Sequence, residues 1–146
     1  MLGTVDPMPA PSSANRQQPA RYAPAMDASS TAREFCGRWP EMTKEQIAAH
    51  FTDDAVYVNI PFPGETIGGA AIAEVLHGPF MAKFARVEAT VHRVAAAGAD
   101  VFAERTERFT PRDGTPFELP VVGVFEVRGD RFCAWRDYFD RSHWQA

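Results

Sequence analysis

The stretch "FAERTERF", residues 102–109, sets two glutamates and two arginines inside a segment that alternates like a β-strand. Side chains i and i+2 of a strand face the same way. Arg105 and Glu107 therefore share a face with Val101, Ala103 and Phe109, while Glu104 and Arg108 take the other face with Phe102. The same rule groups Cys133, Trp135, Asp137 and Phe139 in "RFCAWRDYFD", and Ala55, Tyr57, Asn59 and Pro61 in "FTDDAVYVNIP". It groups Leu119, Val121, Gly123 and Phe125 in "FELPVVGVFEV". With all four sets turned inward, the interior is apolar except for Tyr57, Asn59, Arg105, Glu107 and Asp137. A buried charge is costly unless it is paired and hydrogen-bonded. One arginine, with its planar fork of donors, can hold two acids at once. Two carboxyls with one proton between them can give a proton at one point and take one at another. The same charges also fit a structural ion network or a solvated face. The solvated alternative leaves Val101, Val121, Trp135 and Phe139 in water beside them.

Other chemistries find less support. His50, His77, His92 and His143 are scattered without ligand spacing, so no metal site is expected. Ser and Cys lack an inward histidine partner, and no G-x-S-x-G occurs. "IGG" at 67–69 lacks the lysine and spacing of a phosphate loop, and "RGD" at 128–130 reads as a hairpin turn. Cys36 and Cys133 lie far apart and read as free thiols of a reducing compartment, which points to the cytoplasm. The net charge of −4 comes without a Lys/Arg stripe, so a nucleic-acid partner is not expected. No run is long enough for a membrane span.

The elements that must position these residues follow from local signals. The 146 residues, 45% hydrophobic and 23% charged, suit one domain with a sizeable core. Residues 1–28 carry five prolines, almost no β-branched or aromatic residues and no apolar signal core, so they are expected to form a disordered tail, with Met26 an alternative start. The domain then occupies 29–146. Thr31 and Glu34 have capping-box spacing ahead of a helix with Phe35 and Trp39 on one face, closed by Pro40. Thr43 and Gln46 repeat the signature ahead of Ile47 and Phe51. A strand through "AVYVN", a loop through "FPGETIGG" and a helix interrupted at Gly78-Pro79 come next. Four strands joined by short turns complete the chain, with Pro120 demanding a bulge or an edge. Helices first and sheet after read as α+β, with the helices packed on one face of a curved sheet.

Placed in this order, "YVNIP" (57–61), "ERTE" (104–107) and "WRDYFD" (135–140) resemble limonene-1,2-epoxide hydrolases, over most of the folded chain. The resemblance implies the NTF2-like or SnoaL-like fold, a cone whose curved mixed or antiparallel sheet and N-terminal helices enclose a deep pocket. It implies a cofactor-independent enzyme that adds water to an epoxide to give a vicinal diol. Asp137 is then the general base, Arg105 the bridge, and Tyr57 and Asn59 the holders of the attacking water. Glu107 stands at the general-acid position, where the family has an aspartate one methylene shorter.

The pocket is expected to be lined by Val101, Leu119, Val121, Phe125, Trp135 and Phe139 from the sheet. Leu76 and Phe80, with Ile72 and Phe84, are expected from the helix side. Such walls suit an apolar epoxide of terpenoid, steroid or polyketide type. Phe102, Val122, Val124, Phe132, Ala134 and Tyr138 fall on the opposite face, an apolar patch that a second copy would cover, so a homodimer is expected. Two other functions stay open: an NTF2-like enzyme of isomerase or cyclase type, and a non-catalytic ligand-binding protein.

Overall fold

The computed structural model describes residues 23–146. Helix α1 (Ala23–Arg38) is followed by a 3-10 turn at Trp39–Glu41 and by α2 (Lys44–Ala49). Strands β1 (Phe51–Asn59) and β2 (Thr66–Ile67) precede α3 (Gly69–His77). Four long strands complete the sheet: β3 (Phe84–Ala97), β4 (Asp100–Pro111), β5 (Phe117–Arg128) and β6 (Arg131–Tyr138). Pro40 stops α1 because it cannot donate to the helical ladder and its ring clashes with the preceding turn. The α2 capping box is complete: Gln46 N–H donates to Thr43 Oγ1 at 3.1 Å, and Thr43 N–H donates to the Gln46 side chain at 2.9 Å. At α1 the expected start is wrong. Thr31 lies in mid-helix, because the helical turns already run from Ala23. Residues 23–28 of the expected tail thus belong to α1, and 1–22 lie outside the described residues.

The six strands form one curved, open sheet in the order β2-β1-β6-β5-β4-β3. Only the β1–β6 pair is parallel, which joins the front half of the chain to its last strand. The arrangement is the α+β class expected. The two residues of β2, inside the segment read as a loop, are too few to show alternation. Pro120 sits where β5 still pairs with β4 but has run past β6, whose pairing begins at Val122, so it occupies a locally unpartnered edge.

Helix α1 lies across β3 and β4, and α3 packs on α2 and β1. Phe35 of α1 is fully buried and meets Phe51, Trp135, Phe132 and Phe125 edge-on, at 5.3 to 6.0 Å between ring centres. Phe132 is a correction to the strand parity. It belongs to this core, 1% exposed, and is absent from the outer patch. Glu126 pairs with Ala134 and Val127 with Phe132, so Cys133 is an extra residue in β6, and that bulge swings Phe132 to the inner face. A second apolar cluster gathers Phe84, Phe109, Phe117, Leu119 and Val121. Along β4 the inner face runs from Val101 and Ala103 in the first cluster, through Arg105 and Glu107, to Phe109 in the second. The charged residues therefore form a belt between two apolar masses.

Candidate active site

Strand register brings the belt together. Asp137 on β6 stands opposite Gly123 on β5 and, on its other side, opposite Asn59 on β1. Tyr57 stands opposite Trp135. Arg105 lies on β4, one strand beyond β5, so its guanidinium must cross β5 to reach Asp137. It crosses at Gly123. A Cβ there would fall 2.9 Å from Arg105 Nη1, closer than real Cβ contacts come, and 3.0 Å from Asp137 Oδ1, tighter than nearly all of them. The absent side chain is the opening that permits the ion pair.

Asp137 receives Arg105 as a fork, Nη1 to Oδ1 at 3.1 Å and Nη2 to Oδ2 at 2.7 Å. Trp135 Nε1 adds a third donor to Oδ1 at 2.7 Å. Arg105 Nε donates to Glu107 Oε1 at 2.8 Å, and Trp39 Nε1 donates to the same oxygen at 3.1 Å. Arg105, Asp137 and Glu107 are 1%, 4% and 6% exposed, which separates them from the surface ion pairs of this chain. Tyr57 donates from its hydroxyl to Asn59 Oδ1 at 3.0 Å, and its ring stacks on Trp135 at 4.1 Å.

Burial shapes the titration of these groups. It pushes the Asp137 carboxyl above the usual aspartate range, against the pull of Arg105 and with added repulsion from Glu107. It also raises the Tyr57 phenol well above its ordinary value, helped by the same two acids, so the hydroxyl stays a neutral donor. Burial pulls the Arg105 pKa down, but Asp137 and Glu107 more than offset it, and the guanidinium stays cationic. Cys36, beneath the site, is pushed up to about 12 by burial, which leaves a neutral thiol rather than a nucleophile. With the arginine cationic, a single proton on the two acids makes the buried trio neutral overall, the arrangement that minimises desolvation cost.

Tyr57, Asn59, Glu107 and Asp137 open on a cavity of about 310 Å³ whose other walls are almost wholly apolar. Of the expected lining, Leu76, Phe80, Leu119, Val121, Trp135 and Phe139 face it. Val101 and Phe125 do not; both are fully buried beneath α1 in the first core, toward the end of the sheet away from the cavity. Ile72 likewise packs in that core, and Phe84 belongs to the second apolar cluster. The sequence reading missed Trp39, Phe62, Val75, Met81, Phe109 and Trp144 as lining residues. Trp39 was visible as the inward residue of the first helix, but nothing local connects it with Glu107. Trp144 follows a 3-10 turn at Arg141–His143, beyond the last strand, where no periodicity marks a direction.

Among the described residues no group of His, Cys, Asp and Glu is placed to hold a metal ion, and no helix is long and apolar enough to cross a membrane. The acids here are instead committed to an arginine and two indoles.

Residues 28–144 match the family model for the limonene-1,2-epoxide hydrolase catalytic domain. The chain is 36% identical over 96 residues to epoxide hydrolase EphG of Mycobacterium tuberculosis, a match covering 66% of this chain and 62% of that protein. The match thus spans less than two thirds of the relative's length. A solved LEH-like epoxide hydrolase from M. tuberculosis superposes with a TM-score of 0.70 at 31% identity, covering 82% of this chain and 86% of the other. An NTF2-like protein from Anabaena variabilis gives 0.67 at 20% identity, over 80% of this chain and 89% of the other, which is a likeness of fold alone. The curved sheet and its helices are of NTF2-like type.

Proposed function

The chain belongs to the limonene-1,2-epoxide hydrolase family, and from that premise we propose that it adds water to a small apolar epoxide to give a vicinal diol in one step. The observation that carries the proposal is a single buried arginine holding two carboxyls at the polar floor of an apolar cavity. Asp137 is the general base. It takes a proton from a water held by the Tyr57 and Asn59 side chains as the water oxygen attacks an epoxide carbon. Glu107 is the general acid. It gives its proton to the epoxide oxygen as the carbon–oxygen bond breaks, so no free alkoxide forms. The diol then holds the atoms of epoxide and water, Asp137 is protonated and Glu107 ionised. One proton passing from Asp137 to Glu107 restores the starting state. Arg105 stays cationic throughout and keeps the trio neutral at both ends of the step.

The raised pKa of Asp137 suits a base, since proton transfer is most efficient when the catalytic pKa approaches the operating pH. The cavity volume of about 310 Å³ lies at the low end of small-molecule sites, roughly 300–1,000 Å³, and favours a terpenoid-sized epoxide over a steroid. Both cysteines are free thiols, in keeping with a cytoplasmic protein. Phe102, Val122 and Tyr138 remain exposed on the outer sheet face, and we assign that face to a homodimer contact.

The test is a panel of apolar epoxides incubated with the wild type and with Asp137→Asn and Glu107→Gln. Each variant is expected to lose on the order of 10²–10⁴-fold in diol formation, the usual share of a positioned acid or base. Undiminished turnover in both variants would remove the two-acid mechanism.

A further inference from the structure

We propose that Trp39 is a positioning residue for Glu107, and that its indole lets a glutamate serve where the family resemblance places an aspartate. The inference rests on the reading of Glu107 as the acid. Both donors to this carboxyl, Arg105 Nε at 2.8 Å and Trp39 Nε1 at 3.1 Å, meet on Oε1. Oε2 has no hydrogen-bond partner among the described residues, although Glu107 lines the cavity. With Oε1 occupied by both donors, Oε2 is the oxygen left to meet the epoxide.

Glutamate has one more rotatable bond than aspartate, so a single anchor on Arg105 leaves its carboxyl free to swing. A second donor from another part of the chain removes that freedom. Trp39 is itself well held. It is 2% exposed, it opens the 3-10 turn with Pro40 next in sequence, and its carbonyl accepts from Met42 N–H at 3.2 Å and from His77 Nε2 at 3.0 Å. An aspartate at 107 has a reach shorter by one carbon–carbon bond, about 1.5 Å, and cannot keep both donors. The indole and the longer acid are therefore a matched pair, and a catalytic group displaced by about an ångström loses on the order of 10²-fold.

Trp39→Phe removes the N–H and keeps an aromatic ring. It is expected to lower kcat roughly 10- to 100-fold, the range for a hydrogen bond to a group of this kind, with KM within about twofold. In a Glu107→Asp background the same change is expected to alter kcat by less than about twofold, since the bond is already lost. Proton–nitrogen NMR of the indole N–H groups supplies a readout that needs no turnover and no Trp39 variant. The Trp39 signal should be protected from solvent exchange in the wild type, and should shift and lose protection in Glu107→Asp. Full kcat in Trp39→Phe, an equal loss in both backgrounds, or an indole signal indifferent to Glu107→Asp would each overturn the proposal. Failure of the wild type to open any epoxide, with the indole response intact, would refute the hydrolase reading while supporting the Trp39–Glu107 pairing.

Discussion

At Asp137 three N–H donors meet one carboxylate that is buried enough for its pKa to rise. A base works only when ionised, so kcat/KM should fall as pH drops through the Asp137 pKa. Burial places that acid limb above the ordinary aspartate value of about 3.9. Trp135 Nε1 opposes the rise by stabilising the charged form. Trp135→Phe should therefore move the acid limb to still higher pH, measured as the pH profile of kcat/KM; a limb that stays in place or moves down contradicts this. Gly123 lies between Arg105 and Asp137. A methyl at this position would overlap Arg105 Nη1 and Asp137 Oδ1, so Gly123→Ala should lower diol formation on the order of 10²-fold. Far-ultraviolet circular dichroism should show the sheet retained.

Elements position these residues with different degrees of independence. Helix α2 contributes nothing to the cavity wall, so its capping box can be tested as stability alone. Thr43→Ala should cost about 1 kcal/mol, seen as a lower urea midpoint at unchanged slope, with kcat untouched. The capping signature predicted α2 because both partners sit at its first turn. It misplaced the start of α1, because Thr31 and Glu34 have the same spacing inside a helix already running from Ala23. Alternation worked on β4, whose inner face is buried from Val101 to Phe109 without interruption. It failed at Phe132, where one extra residue at Cys133 reverses the faces, and a bulge leaves no compositional trace in so short a strand. The grouping of Arg105, Glu107 and Asp137 was thus legible from parity. Gly123 was placed on the correct face, but its purpose depends on a guanidinium crossing from the next strand, a contact invisible to local pattern.

Across the whole molecule, the site occupies the seam between two apolar clusters, which makes the charged belt dry without sealing it from the cavity. Val101 and Phe125 show why inward direction did not suffice to predict pocket lining: the same face of the sheet serves as core under α1 and as wall beyond it. The outer face offers a separate test at this scale. Phe102 is 43% exposed beside Val122 at 40% and Tyr138 at 44%, and Phe102→Glu should convert a dimer to a monomer in light scattering at micromolar concentration. A wild type that is already monomeric there contradicts the assignment. The claim on which the rest depends is that water attacks the epoxide directly, with the two carboxyls only moving protons. A single turnover in heavy-oxygen water, with enzyme in excess over an apolar epoxide, tests it most directly. The first diol formed should carry one labelled oxygen, and the protein none. An unlabelled first diol, with its new oxygen drawn from a carboxylate of the protein, would contradict it.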